Sequence, residues 1–287
     1  MIYFLTVNYY CTELIHYMWQ SFSINSILDH HLVIVNNSPE DTAIAQLTHP
    51  KITLINAEKN LGFGQGCNLG INWIYQQDQQ AIIWLINPDT RLPPHTLETL
   101  QQIITKYPNF SLLGTQIKTD THKTWFGGGQ FIPSRGAILE IDLCAKHPHQ
   151  DLIKCDWISG CSLLINLAQF PDCPYFDPAY FLYYEDFDFC YRYAKQGHTI
   201  AITPQISIIH TPSSTTNRNP TQKLKHSTYS YLLTLRRYAP FWVFLLRFLR
   251  VLVYGLVLLW IKPKIGLGKM QGIQLYWQNN FLNPTDK

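Results

Sequence analysis

Charge is scarce in this chain: Asp, Glu, Lys and Arg make up 14% of its 287 residues, where an average soluble domain carries roughly 25%. Long polar tracts are missing too, which excludes an intrinsically disordered chain. No C-x-x-C pair occurs. The seven cysteines (Cys11, Cys67, Cys144, Cys155, Cys161, Cys173, Cys190) are scattered and odd in number, which excludes zinc spacing and argues against a secreted disulfide framework. They read as reduced thiols, mostly small buried hydrophobes. Met1-Ile2-Tyr3-Phe4-Leu5-Thr6-Val7 has no basic n-region and no small-residue cleavage site, so a secretory signal is not expected. Internal repeats are absent. Acid itself runs out along the chain: residues 1–210 hold 18 Asp+Glu against 11 Lys+Arg, a net of −7, whereas residues 211–287 hold one Asp against 11 Lys+Arg, a net of +10. A tail both basic and apolar points to an anionic membrane surface and away from nucleic acid.

What is present is globular, with 46% hydrophobic and 14% aromatic residues and the length of one large or two small domains. Strands are predicted at Ile2–Asn8, His31–Asn36, Ile52–Ile55 and Ala81–Ile86, alternating with helices at Glu13–Ile27, 40–48, Gly64–Gln77 and Pro94–Lys106. That alternation predicts an α/β fold whose central sheet is mostly parallel and covered on both faces. Beyond residue 115 the pattern loosens. Gly127-Gly128-Gly129 lies in a turn-rich region, and Asp156–Asn166 reads as a buried strand or a short helix. Leu182–Gln196 reads as an aromatic-rich helix stopped by Gly197, and Thr199–Ile202 and Ile206–His210 as two short strands. Residues 213–226, rich in Ser, Thr, Asn and Pro, read as a linker. Phe241–Ile261 could cross a bilayer by length, but Arg247 and Arg250 interrupt it, and a midplane arginine costs roughly 2.5–3.5 kcal/mol. A helix lying in the membrane interface is expected, with a core helix packed on the body as the alternative. The division expected is a catalytic domain over 1–215 and a basic, apolar, membrane-associated helical tail over 216–287.

Four features carry chemistry. Leu85-Ile86-Asn87-Pro88-Asp89 drives an apolar run into an Asn-Pro-Asp. It puts one carboxylate at the carboxyl end of a buried strand, where open α/β sheets bind ligands and where a cation escorting a diphosphate needs oxygen ligands. Taken alone, the tripeptide would be a turn. Gly64, Gly66 and Gly70 spell G-x-G-x-x-x-G, which could be a dinucleotide fingerprint, although two strand–helix units precede it. The other reading is a glycine-rich helix start packed closely on the sheet, whose backbone N–H groups suit anionic oxygens. Asp177, Glu185, Asp186 and Asp188 stand among Tyr and Phe, an environment that raises a carboxyl pKa toward that of a general base. Glu185 and Asp186 diverge by about 100° on a helix, and Asp188 could pair with Arg192 at i, i+4. His210 ends a strand and could serve a metal or a phosphate.

Taken together, these residues resemble family 2 glycosyltransferases of the GT-A fold, in particular the bacterial rhamnosyltransferase-like branch. The resemblance rests on Thr6-Val7-Asn8-Tyr9, Val35-Asn36-Asn37-Ser38 and Asn60-x-Gly62-Phe63-x-x-Gly66-x-Asn68-x-Gly70. It continues with Leu85-Ile86-Asn87-Pro88-Asp89, Trp157-Ile158-Ser159-Gly160-Cys161, Phe176-Asp177, Tyr184-Glu185-Asp186-x-Asp188-x-x-x-Arg192 and His210. It implies inverting transfer of a sugar, rhamnose or another hexose, from a nucleotide-diphosphate donor to a lipid-linked or polysaccharide acceptor in cell-surface glycan synthesis. Mg²⁺ or Mn²⁺ is the implied cofactor. By this resemblance Thr6, Asn8, Asn37, Asn60, Gly62, Gly66, Asn68, Asn87 and Asp89 would serve the donor, and Asp89 and His210 the metal. Asp186 would be the general base with Glu185 beside it, and Trp157, Gly160 and Asp188 would border the acceptor. Asn87 stands at the first position of the metal motif, where the family carries Asp. With the basic tail, the resemblance implies a cytoplasmic protein, peripheral on the inner face of the cell membrane. Two rival readings remain at this point: an NAD-dependent oxidoreductase, and a non-catalytic nucleotide-sugar-binding or membrane-scaffold protein.

Overall fold

The computed structural model describes residues 1–23, 29–211 and 219–282. Its strands are β1 (Ile2–Asn8), β2 (His30–Asn36), β3 (Ile52–Asn56), β4 (Ile82–Ile86), β5 (Thr90–Arg91), β6 (Leu112–Lys118), β7 (Thr124–Phe126), β8 (Gly129–Ile132), β9 (Ala137–Glu140), β10 (Ile153–Lys154), β11 (Ser162–Asn166) and β12 (Ile200–His210). Its helices are α1 (Thr12–Ser23), α2 (Phe63–Gln77), α3 (Thr96–Lys106), α4 (Leu143–Lys146), α5 (Glu185–Lys195), α6 (Pro220–Tyr238), α7 (Phe241–Ile261) and α8 (Pro263–Trp277). Two compact units result.

The first unit holds the large sheet, ordered β10-β12-β6-β11-β4-β1-β2-β3, with β5 paired to β12 and β7 to β6. β1 is parallel to both β2 and β4, and β2 to β3. β6 and β12 are also parallel, while β11 runs antiparallel between β4 and β6. Strands buried on both faces read as continuous apolar runs, and all seven residues of β1 are buried. Phe4 stacks on Phe22 at 4.1 Å and on Trp84 at 5.3 Å between ring centroids. The chain winds β1-β2-β3 to one side and then returns to place β4 on the other side of β1. That reversal leaves a crevice beyond the carboxyl ends of β1 and β4, the place where doubly wound sheets bind ligands.

The glycine-rich motif has a packing role here. A Cβ on Gly66 would lie 3.1 Å from Val7 Cγ1, and one on Gly70 would overlap Leu5 Cδ1. Glycine lets α2 press onto β1, and α2 belongs to the third strand–helix unit of the sheet. The close-packing reading of the motif holds.

The second unit gathers Phe131–Ile138, Ala179–Glu185 and the helices α6, α7 and α8. Its core is formed by Tyr180, Tyr229, Leu232, Leu233, Leu235, Phe244, Ile273 and Tyr276. α8 fits against both neighbours through glycine: a Cβ on Gly268 or Gly272 would crowd the α6 backbone at Thr221 or Lys225, and one on Gly266 would strike the α7 backbone at Leu259.

Several expectations need correction. The part of 213–226 that is described belongs to α6, not to a linker; residues 213–218 lie outside the described residues. Asn219 caps that helix by accepting from the Gln222 N–H at 3.1 Å, and Pro220 occupies its first turn, a standard helix start. The tail is three packed helices where one was expected. α1 is described as far as Ser23, and the remainder of the expected 13–27 helix lies outside the described residues. α3 starts at Thr96, after the Pro-Pro pair. α5 starts at Glu185 because Tyr183 and Tyr184 take left-handed φ angles of 68° and 65°. Thr199–Ile202 and Ile206–His210 merge into β12, whose register shifts between Thr203 and Ser207, around Pro204, which has no N–H for the ladder. The 156–166 segment resolves into a loop followed by β11.

Candidate active site

Two strand ends bring Asp89 and His210 together. β5 pairs antiparallel with the end of β12, setting Thr90 opposite His210, and the Thr211 N–H donates to the Asp89 carbonyl at 2.9 Å. His210 Nε2 then lies 3.2 Å from Asp89 Oδ1, with both side chains almost enclosed. The edge of the Trp125 ring packs on the imidazole at 4.6 Å. His210 Nδ1 is buried without a hydrogen-bond partner among the described residues. A carboxylate oxygen and an imidazole nitrogen this close, at the carboxyl edge of the sheet, could supply two ligands to a divalent cation that completes its shell from a bound ligand and water.

Asp186 sits in the first turn of α5. Its Oδ2 accepts the Gly160 N–H at 2.9 Å and its Oδ1 accepts the Phe187 N–H at 2.8 Å. The residue keeps some solvent access, yet desolvation pushes its pKa above the usual carboxylate value, against the pull of these two backbone N–H groups and its own. Gly160 is glycine for room: a Cβ there would lie 3.0 Å from Phe63 Cε1 and 3.5 Å from Asp186 Cβ. The next residue reaches the other acidic motif, since the Cys161 carbonyl accepts the Asn87 N–H at 3.1 Å. The Cys161 thiol is raised well above its ordinary pKa by burial first, then by the charges of Asp89 and Asp186. One loop therefore bonds both Asp186 and Asn87, the first residue of the Asn-Pro-Asp. The left-handed Tyr183 and Tyr184 immediately before α5 cost about 1–3 kcal/mol each, the sort of strain that clusters at functional sites.

Most candidate donor residues shape this edge with their side chains. Asn8 Nδ2 donates to Asn36 Oδ1 at 3.1 Å and Asp41 Oδ2 at 3.0 Å, while its Oδ1 accepts the Cys11 N–H at 3.0 Å. Asn37 Nδ2 donates to Asn60 Oδ1 at 3.1 Å and to the Gly62 carbonyl at 3.0 Å, and its Oδ1 accepts the Leu61 N–H at 2.8 Å. Gly62, at φ 81°, turns the chain into α2. Asn68 grips the Phe176 backbone at both ends, at 2.8 and 2.7 Å, tying α2 to the acidic segment. Thr6 Oγ1 is buried with no hydrogen-bond partner among the described residues. Glu185 is buried at the head of α5. Asp188 is fully buried and pairs with Arg192 at 3.3 Å, the i, i+4 arrangement expected from sequence, and Arg192 also donates to the Tyr175 carbonyl at 2.6 Å.

Trp157 packs where Gly129 has no side chain; a Cβ there would run into the indole. Its Nε1 is buried and has no hydrogen-bond partner among the described residues. The same hairpin supplies a carboxylate the sequence did not flag. Glu140, at the end of β9, has its pKa raised by desolvation and then by the charge of Asp186, so it belongs to this acidic neighbourhood. The glycine run at 127–129 was the available signal, marking a close approach without saying of what.

Residues 8–186, more than half of the chain, match the glycosyl transferase family 2 profile. Among relatives, the chain is 25% identical over 234 residues to N-acetylglucosaminyl-diphospho-decaprenol L-rhamnosyltransferase of Mycobacterium tuberculosis, covering 74% of this chain and 76% of that protein. Among solved structures it resembles GalNAc-T7 with UDP, GalNAc and Mn²⁺, with a TM-score of 0.60, 12% identity, 82% of this chain covered and 47% of the other. It also resembles the mannosyltransferase PcManGT from Pyrobaculum calidifontis in complex with GDP-Man and Mn²⁺, with a TM-score of 0.55, 12% identity, and 97% and 87% covered. The chain spans about half the length of the first of these structures, and at such identity the likeness concerns the fold, which is GT-A. The ordered motifs, the sheet that carries them and the profile match agree: the chain belongs to glycosyl transferase family 2 and is a rhamnosyltransferase-like hexosyltransferase.

Proposed function

We propose that this enzyme transfers rhamnose, or another hexose, with inversion from a nucleoside-diphosphate donor to a lipid-diphosphate-linked saccharide. The observation that carries the reading is the Trp157–Cys161 loop. Through the Gly160 N–H it orients Asp186, and through the Cys161 carbonyl it anchors Asn87-Pro88-Asp89. A proton acceptor and an anion-handling edge thus share one support. Thr6, Asn8, Asn37, Asn60, Gly62, Gly66, Asn68 and Asn87 would form the donor's floor and walls. Trp157 and Gly160 would border the acceptor, with Asp188 acting through Arg192.

An acceptor hydroxyl is a poor nucleophile until its proton is taken up. Asp186 would take it as the oxygen attacks the anomeric carbon from the face opposite the diphosphate. Each Asp186 oxygen accepts one backbone N–H, which leaves lone pairs for that proton. Desolvation moves its pKa toward working pH, where a general base is effective. Asp89 and His210 would hold a divalent cation, Mn²⁺ in preference to Mg²⁺ given the imidazole, which would supply positive charge to offset the charge on the departing diphosphate. The acceptor class is supported by the mycobacterial relative, named for a decaprenyl-diphosphate acceptor. The tail over 216–287 would keep the enzyme on the cytoplasmic, inner face of the membrane, where such acceptors are met.

The test is transfer of labelled sugar from dTDP-rhamnose, UDP-GlcNAc and GDP-mannose into solvent-extractable lipid, with Mn²⁺, Mg²⁺ or EDTA. Label from the rhamnose donor that EDTA abolishes supports the reading. Label only from another donor replaces the sugar, and no label in lipid from any donor refutes the acceptor class.

A further inference from the structure

α7 packs through Val243, Phe244, Gly255 and Leu258, yet its opposite side is apolar and exposed. At about 100° per residue, Trp242, Leu246, Leu249, Val253, Val257 and Trp260 form one stripe, and Trp260 is 91% exposed. Arg250 falls on the flank between stripe and packed side, and Arg247 on the packed side between Val243 and Leu258. Residues 219–282 contain nine Lys+Arg and no Asp or Glu. A helix with this arrangement lies in a membrane interface with its cations at headgroup level.

Beside the stripe is a notch of about 280 Å³ lined by Ser134, Arg135, Trp242, Val243, Leu246 and Arg247. It is built by design of the backbone. Gly136 takes a left-handed φ of 55°, and a Cβ there would lie 2.9 Å from Val243 Cγ1 and 3.0 Å from Leu235 Cδ2, so only glycine lets the turn approach α7 this closely. Arg247 Nε and Nη2 donate to the Arg135 carbonyl at 3.1 and 2.6 Å. That clamp orients the guanidinium and leaves its other N–H groups for a ligand. Among the described residues, no carboxylate pairs with Arg135 or Arg247.

We infer that this notch binds the phosphate headgroup of an anionic glycerophospholipid while the α7 stripe lies in the bilayer surface. Two guanidinium groups suit a phosphate, which Arg contacts through paired N–H groups where Lys presents a point charge. Trp242, Val243 and Leu246 suit the glycerol and upper acyl chain that come with it, which favours a lipid over a free anion. The inference rests on the membrane-surface reading of the tail.

The experiment measures binding of the full chain to phosphatidylcholine vesicles with and without phosphatidylglycerol, by flotation at fixed ionic strength. Wild type should favour the phosphatidylglycerol vesicles by at least about tenfold, since each basic residue at an anionic surface contributes about 1 kcal/mol. Arg135→Lys/Arg247→Lys keeps the net charge and should lose about tenfold, the effect of removing fork geometry from a bidentate site. Arg135→Lys alone leaves the Arg247 clamp on the 135 carbonyl intact, so a several-fold loss there, with an unchanged melting temperature, supports the notch independently of folding. Unchanged affinity in both variants overturns the notch and leaves the membrane reading standing. Failure of wild type to bind phosphatidylglycerol vesicles overturns both. Displacement by inorganic phosphate at matched ionic strength overturns the lipid assignment in favour of a soluble anion.

Discussion

Asp186→Asn separates the chemistry of the site from its architecture. Both carboxylate oxygens accept a backbone N–H, from Gly160 at 2.9 Å and from Phe187 at 2.8 Å. The asparagine amide can satisfy one of them, and its NH₂ must then face the other. Leaving that N–H unmatched costs about 1–3 kcal/mol, partly offset because a neutral side chain escapes the desolvation that the carboxylate bears. The fold therefore survives. Turnover does not: loss of a general base removes 10²–10⁴ in rate, about 2.7–5.4 kcal/mol of barrier. Donor affinity should stay near wild type, because the residues proposed to meet the diphosphate are Asn87, Asp89 and His210. The assay pairs kcat at saturating donor with calorimetric titration of the nucleoside diphosphate and a urea melt. Turnover within about tenfold of wild type at full donor occupancy would refute Asp186 as the base.

Because desolvation raises the Asp186 pKa, kcat should rise with pH through a value above the ordinary carboxylate range, and the Asp186→Asn profile should lack that limb. Stability runs the other way for this group. Its folded pKa exceeds its unfolded one, so its contribution is most favourable below the unfolded value and declines as pH rises through the folded one; comparing melts of wild type and Asp186→Asn against pH reads the difference. His210→Gln should weaken Mn²⁺-dependent binding of nucleoside diphosphate by at least about tenfold while leaving binding in EDTA unchanged; equal loss in both conditions would exclude a metal role. Gly70→Ala should cost about 1–3 kcal/mol through overpacking against buried Leu5, more than Gly66→Ala, where the nearest atom, Val7 Cγ1, lies 3.1 Å away; denaturant titration orders the two, and the reverse order would contradict the packing account.

Strands β1 to β4 were legible to within a residue or two because strands buried on both faces need unbroken apolar runs. α7 was legible to the residue, since its composition changes sharply at Pro240 and Lys262. α6 was not. Its Ser and Thr content resembles a loop until α8 supplies glycines on which those small residues pack, and that packing is tertiary. The start of α5 was also hidden, because a left-handed tyrosine leaves no mark in composition. At the site, Asp89, Asp186 and His210 could be named from their places after apolar runs or among aromatics. Glu140 could not, being one carboxylate on an ordinary strand until the fold brought it near Asp186.

By itself the sequence determined β1 to β4, α2 and α7 and which carboxylates stand at strand or helix ends, and its ordered motifs carried the resemblance to a glycosyltransferase. The first of these are local matters of periodicity, burial and residue chemistry. Only the tertiary structure decided that Asp89 meets His210, that one loop bonds both Asn87 and Asp186, that Asn8, Asn37 and Asn68 brace the loops, and that Arg247 clamps the turn at Arg135. Such pairings depend on strand order and helix packing between residues far apart in the chain, where many arrangements satisfy the local pattern and the packed one brings the partners of most buried donors and acceptors together.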